Sequence, residues 1–323
     1  MKNKIDLLQT QIAIKYLKDN FESLLAKKLN LVRVSAPLFV DEASGLNDHL
    51  SGVEETVSFQ LGDKKIEIVQ SLAKWKRYAL GEYHFPLDTG LYTDMNAIRK
   101  DEHLDKLHSI YVDQWDWEKI IKEEDRTLKY LFKTVSQIYS VIYKVAMMSE
   151  KKWGFSYNLP KSITKISTKK LEKLYPHLSP KEREEEIVKQ YGAVFIYQIG
   201  WPLKNKQPHD QRAADYDDWN LNGDIILYDS AIEGAIELSS MGIRVNKESL
   251  VKQLEYKGEQ DKLDNPYCKA IIKDKLPLTI GGGIGQSRLC MYYLQKKHIA
   301  EVQSSYWPDE MKEEMKKEGL EIL

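Results

Sequence analysis

Apolar side chains recur at helical spacing near the start of the chain, with charged and polar residues filling the intervals. Leu8, Ile12 and Tyr16 belong to this series, which predicts an amphipathic helix over residues 4–29. Residues 31–34 then alternate like a strand, and Pro37 ends it. The chain is therefore predicted to begin with a helix that is followed directly by a short strand.

Two short alternating runs follow, over residues 56–61 and 65–69. Gly62 and Asp63, which lie between them, have the turn chemistry of a β-hairpin. Helical spacing returns over residues 71–80. This part of the chain therefore predicts a hairpin and a second helix.

The rest of the chain predicts more strands than helices, which bears on the fold class. Because successive strands often follow one another without a helix between them, an antiparallel or mixed sheet fits better than parallel βαβ winding. The helix at 179–191 opens with the capping-box pair Ser179 and Glu182. Gly281 to Gly285 predict a tight turn before the last helix. The patterns predict strands at 91–98, 109–117, 194–199, 224–228, 233–239 and 277–280, and helices at 128–148, 179–191 and 289–294.

Composition is ordinary for a folded soluble protein, since 42% of the 323 residues are hydrophobic and 30% are charged. Lys and Arg number 48 against 49 Asp and Glu, so no overall positive field exists to hold a polynucleotide backbone. Cys268 and Cys290 indicate neither a disulfide framework nor a thiolate metal site. With no secretory leader and no apolar run of membrane-spanning length, we expect a cytoplasmic protein without nucleic-acid or membrane partners.

The strongest chemical signal is the glycine-rich segment from Gly281 to Arg288, between a predicted strand and a predicted helix. Glycine lets backbone approach a ligand closely, a helix start favours an anion, and Arg288 on the first turn can reach a phosphate. A Rossmann fingerprint would need glycine where Gln286 or Arg288 stands, and a P-loop would need Gly-Lys-Ser/Thr. The alternative is an ordinary glycine-rich turn with a surface arginine.

A second signal is the charged segment Arg99-Lys100-Asp101-Glu102 between two predicted strands. An arginine at a strand end, followed by a polar loop, is well placed to clamp a phosphate. The alternative is a solvated charge run without a ligand.

Together these segments resemble two motifs of the class II aminoacyl-tRNA synthetases. The segment from Gly281 to Arg288 is similar to their motif 3, and Arg99-x-Asp101-Glu102 is similar to their motif 2. The first helix, the strand after it and Pro37 resemble their motif 1, which in that family forms the dimer interface. The resemblance implies an α+β fold with an antiparallel sheet flanked by helices, a single catalytic domain over residues 1–323, and a homodimer that binds a bent ATP.

Longer segments narrow the resemblance to the asparagine synthetase A family, the ammonia-dependent aspartate ligases. The family implies that the aspartate β-carboxylate attacks the α-phosphorus of ATP and that ammonia then displaces AMP from the β-aspartyl adenylate. The substrates would be L-aspartate, ammonia and ATP, and Mg²⁺ would accompany the nucleotide. The segments that carry this resemblance are 47–52, 71–77, 111–118, 215–219, 221–224 and 237–244.

The same resemblance implies roles for individual side chains. ATP would be bound by Arg99, His108, Ser109, Arg212, Ser240, Gly283, Gly285 and Arg288. Asp224 and Glu237 would hold magnesium, a hard cation that prefers oxygen ligands. Aspartate would be bound by Ser71, Lys76, Gln114, Asp116 and Arg244, and the catalytic set would be Asp48, Lys76, Arg99, Gln114 and Asp116. We expect Asp116 to hold the substrate amine and Asp48 to position ammonia and accept its proton.

Each role has a structural alternative. Lys76 fits a solvated helix face, and strand alternation by itself would expose Asp116. His209, beside Asp210, is interpreted as structural, because a neighbour in sequence establishes no geometry. The acidic group Asp215, Asp217 and Asp218 fits a surface turn or an incidental cation site.

Two other functions are considered: a tRNA-charging enzyme of the same fold, and a non-catalytic sensor of amino acid or nucleotide. The predicted catalytic motifs run from Pro37 to Arg288 and leave little chain for an anticodon-binding domain. A sensor is disfavoured because Arg99, Arg212 and Arg288 are all present. Glutamine as nitrogen donor would need a nucleophilic cysteine, and neither cysteine lies in a recognisable nucleophile motif.

Overall fold

A computed structural model of the chain describes residues 5–48, 50 and 54–323. The strands are β1 (Leu31–Arg33), β2 (Phe39–Asp41), β3 (Ser58–Leu61), β4 (Lys64–Ile68), β5 (Gly90–Ile98), β6 (Tyr111–Ile120), β7 (Thr164–Ser167), β8 (Ala193–Tyr197), β9 (Asp217–Asp229), β10 (Gly234–Arg244) and β11 (Thr279–Gly285). The helices are α1 (Leu7–Leu29), α2 (Ala73–Glu82), α3 (Leu128–Trp153), α4 (Thr168–Leu174), α5 (Pro180–Tyr191), α6 (Lys247–Lys257), α7 (Pro266–Ile272), α8 (Gln286–Tyr293) and α9 (Asp309–Lys317). Within these described ranges, no helix is both long and apolar enough to cross a bilayer.

The main sheet has the strand order β1-β5-β6-β11-β10-β9-β8-β7. Its six central strands are antiparallel, while β1 pairs with β5 and β7 pairs with β8 in parallel. A smaller antiparallel sheet has the order β2-β4-β3. The sheet is therefore mixed at its margins, and the predicted antiparallel sheet flanked by helices is confirmed for its central part.

Helix α1 packs one apolar face into the largest hydrophobic core. Leu17, Phe21 and Leu25 on this face are fully buried, and the Phe21 ring stacks on Trp115 of β6 with 4.8 Å between centroids. Burial of such a side chain contributes roughly 1.5–3 kcal/mol. The helix begins with a capping box between Asp6 and Gln9. The predicted helix is thereby confirmed, but Leu8 and Ile12 of the predicted apolar series are exposed and do not lie on its buried face.

The predictions made from local turn and helix-cap residues are also confirmed. Ser179 and Glu182 form the predicted capping box of α5. Gly62, with φ of 65°, lies in the two-residue turn between β3 and β4. The strands predicted at 224–228 and 233–239 are parts of the longer β9 and β10. Spacing did not predict β2, β7, α4, α6, α7 or α9.

The tight turn predicted from Gly281 to Gly285 is wrong. These residues form most of β11, which lies between β6 and β10 near the middle of the sheet. Helix α8 follows without a loop. The glycines therefore meet a packing requirement within the sheet and do not close a turn.

Candidate active site

A cavity of about 340 Å³ lies over the sheet at β6, β11 and β10. It brings together side chains from α2, β6, β10 and α8, and from the loops after β5 and before β9. Asp224 is the one candidate that does not line it, although its ion-pair partner Arg212 does. The candidates that line it are Asp48, Ser71, Lys76, Arg99, His108, Ser109, Gln114, Asp116, Arg212, Glu237, Ser240, Arg244, Gly283, Gly285 and Arg288.

The glycines of β11 form a floor on which large polar side chains lie. Gly283 is opposite Asp116 in the register of β6, and a Cβ atom at this position would overlap Oε1 of Gln114 and lie 2.9 Å from Asp116 Oδ1. A Cβ atom on Gly281 would overlap the carboxylate of Glu118 in the same way. Only glycine leaves room for these neighbours.

Lys76 and Asp116 form a buried ion pair in this cavity. Nζ of Lys76 lies 2.9 Å from Oδ2 of Asp116 and donates a hydrogen bond to the Gly282 carbonyl at 3.0 Å. The two side chains are only 1% and 3% exposed, so the solvated alternatives for both residues are wrong. Asp116 Oδ1 is buried and has no hydrogen-bond partner within the described ranges. The pair therefore offers a ligand an acceptor for an ammonium group next to a cation.

Arg244 is held between two buried carboxylates. Its Nε and Nη2 donate to Glu118 at 2.9 and 2.7 Å, and its Nη1 contacts Asp217 at 2.5 Å. Thr279 Oγ1 donates to Glu118 at 2.6 Å. Burial raises the pKa of Glu118, but Arg244, Lys76 and Thr279 together more than offset this and keep the pKa below its usual value. For Asp217 burial dominates, and the pKa is raised. Lys76, Asp116, Arg244, Glu118 and Asp217 are called the ion-pair cluster below.

Sequence reasoning assigned no role to Glu118 or Asp217. A signal for Glu118 was present, because Gln114, Asp116 and Glu118 occupy every second position of one strand and so face the same side. Asp217 carried no such signal, since it lies in a run of acids. The surface-turn interpretation of that run is wrong. All three acids are buried and paired: Asp215 with Lys74, Asp217 with Arg244, and Asp218 with Arg126.

Arg99 and Arg288, called the arginine pair below, line the same cavity without carboxylate partners. Arg99 donates to the Gln70 carbonyl at 3.3 Å. Arg288 donates to the carbonyls of Leu107 and Glu237, each at 3.2 Å. Neither guanidinium forms an ion pair in the part of the chain that the structure describes. Two cations without anionic partners, in one cleft, are suited to a phosphate.

His108 and Ser109 lie in the loop just before β6 and line the same cavity as the arginine pair. His108 Nδ1 lies 2.8 Å from Asp105 Oδ1, and the side chain is about one-third exposed at 36%. Ser109 Oγ shares a hydrogen bond of 2.6 Å with Ser305 Oγ. Ser240 is opposite Gly283 on one side and Asp224 on the other in the register of β10.

Asp224 and Glu237 lie close to Arg212 on β9 and β10. Arg212 bridges Asp224 and Asp210, each at 2.5 Å. Burial raises the pKa of Asp224 to about 7, Arg212 opposes this rise, and Glu237 adds to it. Asp224 Oδ1 is buried without a hydrogen-bond partner among the described residues. A hard cation would satisfy this oxygen and relieve the repulsion between the two acids.

Asp48 lies in the cavity wall and is 1% exposed. Burial raises its pKa to about 6, with Lys74 lowering it and Asp215 raising it further. Lys74 and Asp215 form a buried ion pair of 2.6 Å. A carboxylate whose pKa is this high can accept and release a proton near neutral pH.

His209 is buried and lies 3.0 Å from Glu184, away from the cavity lining.

The fold is that of the class II aminoacyl-tRNA synthetases. Asparaginyl-tRNA synthetase from Pyrococcus horikoshii, complexed with asparaginyl-adenylate, superposes with a TM-score of 0.68 at 15% identity, over 93% of this chain and 70% of that one. The Entamoeba histolytica asparaginyl-tRNA synthetase with asparaginyl-adenylate gives 0.65 at 13% identity, over 93% of this chain and 68% of that one. At such low identity the likeness establishes the fold alone.

Sequence relatives establish the family. The profile described as aspartate-ammonia ligase matches residues 8–319. The aspartate–ammonia ligase of Bacillus cytotoxicus is 56% identical over 318 residues, which cover 98% of this chain and 97% of that protein. The corresponding protein of Bacillus cereus strain B4264 is 55% identical with the same coverage. The chain therefore belongs to the aspartate–ammonia ligase family.

Proposed function

We propose that this chain makes L-asparagine from L-aspartate, ammonia and ATP through a β-aspartyl adenylate, releasing AMP and pyrophosphate. One observation carries the proposal: the arginine pair and the ion-pair cluster, through all of its members except Glu118, line a single cavity. The cluster suits a small molecule that bears both positive and negative charge. The arginine pair suits a polyanion.

In the first step the cavity binds aspartate and ATP side by side. Oδ1 of Asp116 accepts a hydrogen bond from the ammonium group of aspartate, while Lys76 and Arg244 bind the two carboxylates of aspartate. Gln114, over Gly283, and Ser71 also line the cavity and would contact aspartate. The β-carboxylate oxygen attacks the α-phosphorus, the bond to the bridging oxygen breaks, and pyrophosphate leaves. Arg99 and Arg288 stabilise the charge that develops on the phosphoryl oxygens.

In the second step ammonia attacks the β-carbonyl carbon of the adenylate. The C–O bond to phosphate breaks and AMP leaves. Asp48 takes the proton that the nitrogen must lose, and its raised pKa suits it to this exchange. We take ammonia itself as the nitrogen donor, because both cysteines are buried and their thiol pKa values are raised by burial.

Asp224 and Glu237 would hold Mg²⁺ together with the phosphate oxygens of ATP. No group of three or more His, Cys, Asp or Glu side chains within the described ranges is arranged to hold a metal ion without the nucleotide. Two carboxylates fit the way Mg²⁺ is usually bound, by few protein ligands, substrate phosphates and water. When bound, the ion would neutralise phosphate charge. His108, Ser109, Arg212 and Ser240 would seat the adenylate.

We also propose that the chain acts as a homodimer through α1, β1 and the segment after it. Leu8 and Ile12, four residues apart on α1, are exposed, as are Val32 on β1 and Phe39 on β2. Burial of these apolar side chains against a second copy would remove them from water. The cytoplasmic location and the single catalytic domain over residues 1–323 stay predictions from the sequence.

Product analysis tests the reaction. The chain is incubated with ATP, Mg²⁺, aspartate and ammonium chloride without tRNA, and nucleotides and amino acids are separated. We expect AMP and asparagine in equal amounts. ADP in place of AMP would contradict the adenylate route. A requirement for tRNA would indicate a charging enzyme, and binding without turnover would indicate a sensor.

A further inference from the structure

Helix α8, whose first turn carries Arg288, begins without a side-chain cap of its own. Its N-cap residue is Gly285, which has no side chain to accept a hydrogen bond from the first backbone N–H groups. Strand β6 supplies the acceptor instead, because Oδ1 of Asp113 accepts a hydrogen bond from Ser287 N at 3.1 Å. The cap of α8 is therefore a tertiary contact from a residue far away in sequence.

Asp113 also joins two other parts of the chain to this helix start. Gln303 Nε2 donates to the same Oδ1 at 3.1 Å and lies 3.2 Å from Ser287 Oγ. Oδ2 of Asp113 forms an ion pair with Lys18 of α1 at 3.0 Å. Asp113, Ser287 and Gln303 are 7%, 2% and 4% exposed, so water competes little for these bonds. Both carboxylate oxygens of Asp113 are thus engaged by the protein.

We propose that Asp113 is a positioning residue for nucleotide binding, which holds Arg288 in place by capping α8, and that Lys18 balances its charge. The proposal rests on the proposed function, because it takes Arg288 as a ligand of ATP. Among the described residues, Arg288 donates hydrogen bonds to two main-chain carbonyls, and no carboxylate there fixes its guanidinium. The orientation of the Arg288 guanidinium therefore depends on the position of the first turn of α8. Displacement of a binding group by about 1 Å is enough to cost about a hundredfold in rate.

The charge of Asp113 makes a direct role in phosphate binding unfavourable. A carboxylate in the cavity wall would repel ATP unless a cation compensated it. Lys18 provides that cation, and a negative charge at a helix N-terminus also stabilises the helix. The same contact links α1, the helix that we assign to the dimer interface, with the arginine pair.

The experiment compares Asp113→Ala, Asp113→Asn and Lys18→Met with the wild-type chain in the AMP-forming assay. Alanine removes the cap, so the KM for ATP should rise about tenfold while the KM for aspartate stays within about twofold. Asparagine keeps an acceptor for Ser287 N and carries no charge, so it should keep the KM for ATP within about threefold of wild type. Lys18→Met leaves the cap intact but removes the cation that balances Asp113, so it should raise the KM for ATP about fivefold. Melting temperatures report folding separately.

If Asp113→Ala does not fold, Ser287→Pro replaces it. Proline is tolerated in the first turn of a helix and deletes the N–H that Asp113 accepts, so the KM for ATP should rise by a similar factor. The proposal is overturned if the KM for ATP does not change, if both KM values rise equally, or if asparagine is as harmful as alanine. If the wild-type chain forms no AMP, the proposed function is overturned as well. If the wild-type chain forms AMP and the variants have the same KM for ATP, only the positioning role of Asp113 is overturned.

Discussion

The ion-pair cluster and the arginine pair hold their cations in opposite ways within one cavity. Lys76 and Arg244 are paired with carboxylates and are 1% and 2% exposed. Arg99 and Arg288 donate only to main-chain carbonyls among the bonds of the described residues. One region pairs its cations with carboxylates, and the other holds two guanidinium groups that form no ion pair among the described residues.

This difference matches the charges of the two proposed substrates. Aspartate carries an ammonium group and two carboxylates, so it can enter a region where charges of both signs are already paired. ATP carries only negative charge, so it gains most from cations without protein partners. Buried charges must be paired, and the phosphates of ATP would supply the anionic partners that Arg99 and Arg288 lack among the described residues. Four substitutions test this contrast.

The largest effect is expected from Lys76→Met. It leaves Asp116 buried without its cation, which should cost about 3–5 kcal/mol in the free energy of unfolding and reduce kcat/KM for aspartate by more than about a hundredfold. Denaturant unfolding and steady-state kinetics measure the two quantities. Lys64→Met is the matched control, because its ion pair with Asp41 is largely exposed, at 62% for the lysine side chain. The control should change stability by less than about 1 kcal/mol, and equal losses in both variants would contradict the contrast.

Gly283→Ala should have the next largest effect. The new Cβ atom would overlap Gln114 Oε1 and displace the neighbouring Asp116, so kcat/KM for aspartate should fall by about a hundredfold. Gly81→Ala in α2 is the control, since its nearest neighbour would be 3.5 Å away and alanine is the better helix former. Wild-type kinetics for Gly283→Ala would show that the glycine floor is not needed.

Arg288→Lys tests the arginine pair. Lysine cannot bind a phosphate in a bidentate manner, so the KM for ATP should rise by about tenfold. Because Arg288 has no ion pair to lose within the described ranges, the melting temperature should stay unchanged. Arg33→Lys makes the same exchange in an exposed ion pair with Asp94 and should leave the KM for ATP within about twofold. A clear loss of stability in Arg288→Lys would contradict the distinction between the two regions.

The last effect, no larger than that of Arg288→Lys, is a pH dependence caused by Asp48. The pKa of its buried carboxyl is raised to about 6, so it is mainly ionised at pH 7 and mainly protonated at pH 5. The protonated form cannot accept a proton from the attacking nitrogen. At equal free-ammonia concentration, asparagine formation should therefore fall by about tenfold at pH 5, and Asp48→Asn should lack this pH-dependent fall. Aspartate-dependent pyrophosphate exchange, which needs no ammonia, is the internal control. A similar fall in both assays would assign the titration to another group.

Much of the fold was predictable because its signals are local. The spacing of α1, the capping box at Ser179 and the turn at Gly62 each depend on residues a few positions apart. Short elements such as β7 and α4 were missed, because a few residues carry too little periodicity. The run from Gly281 to Gly285 was wrongly predicted to form a turn. The side chains that leave no room for a Cβ atom there lie on neighbouring strands, which the sequence does not reveal.

The sequence by itself determined the main element types and the order of the motifs. Through these it gave the family resemblance and a list of candidate residues, all of which except Asp224 line one cavity. Only the tertiary structure decided which charges neutralise one another. Arg244 and Glu118 are 126 positions apart, and β10 and β6 approach each other only across β11. The register between strands sets such pairings, and no pattern along the chain encodes it directly. The tertiary structure also distinguished buried charges such as Lys76 and Asp215 from solvated ones, because burial depends on the elements packed around them.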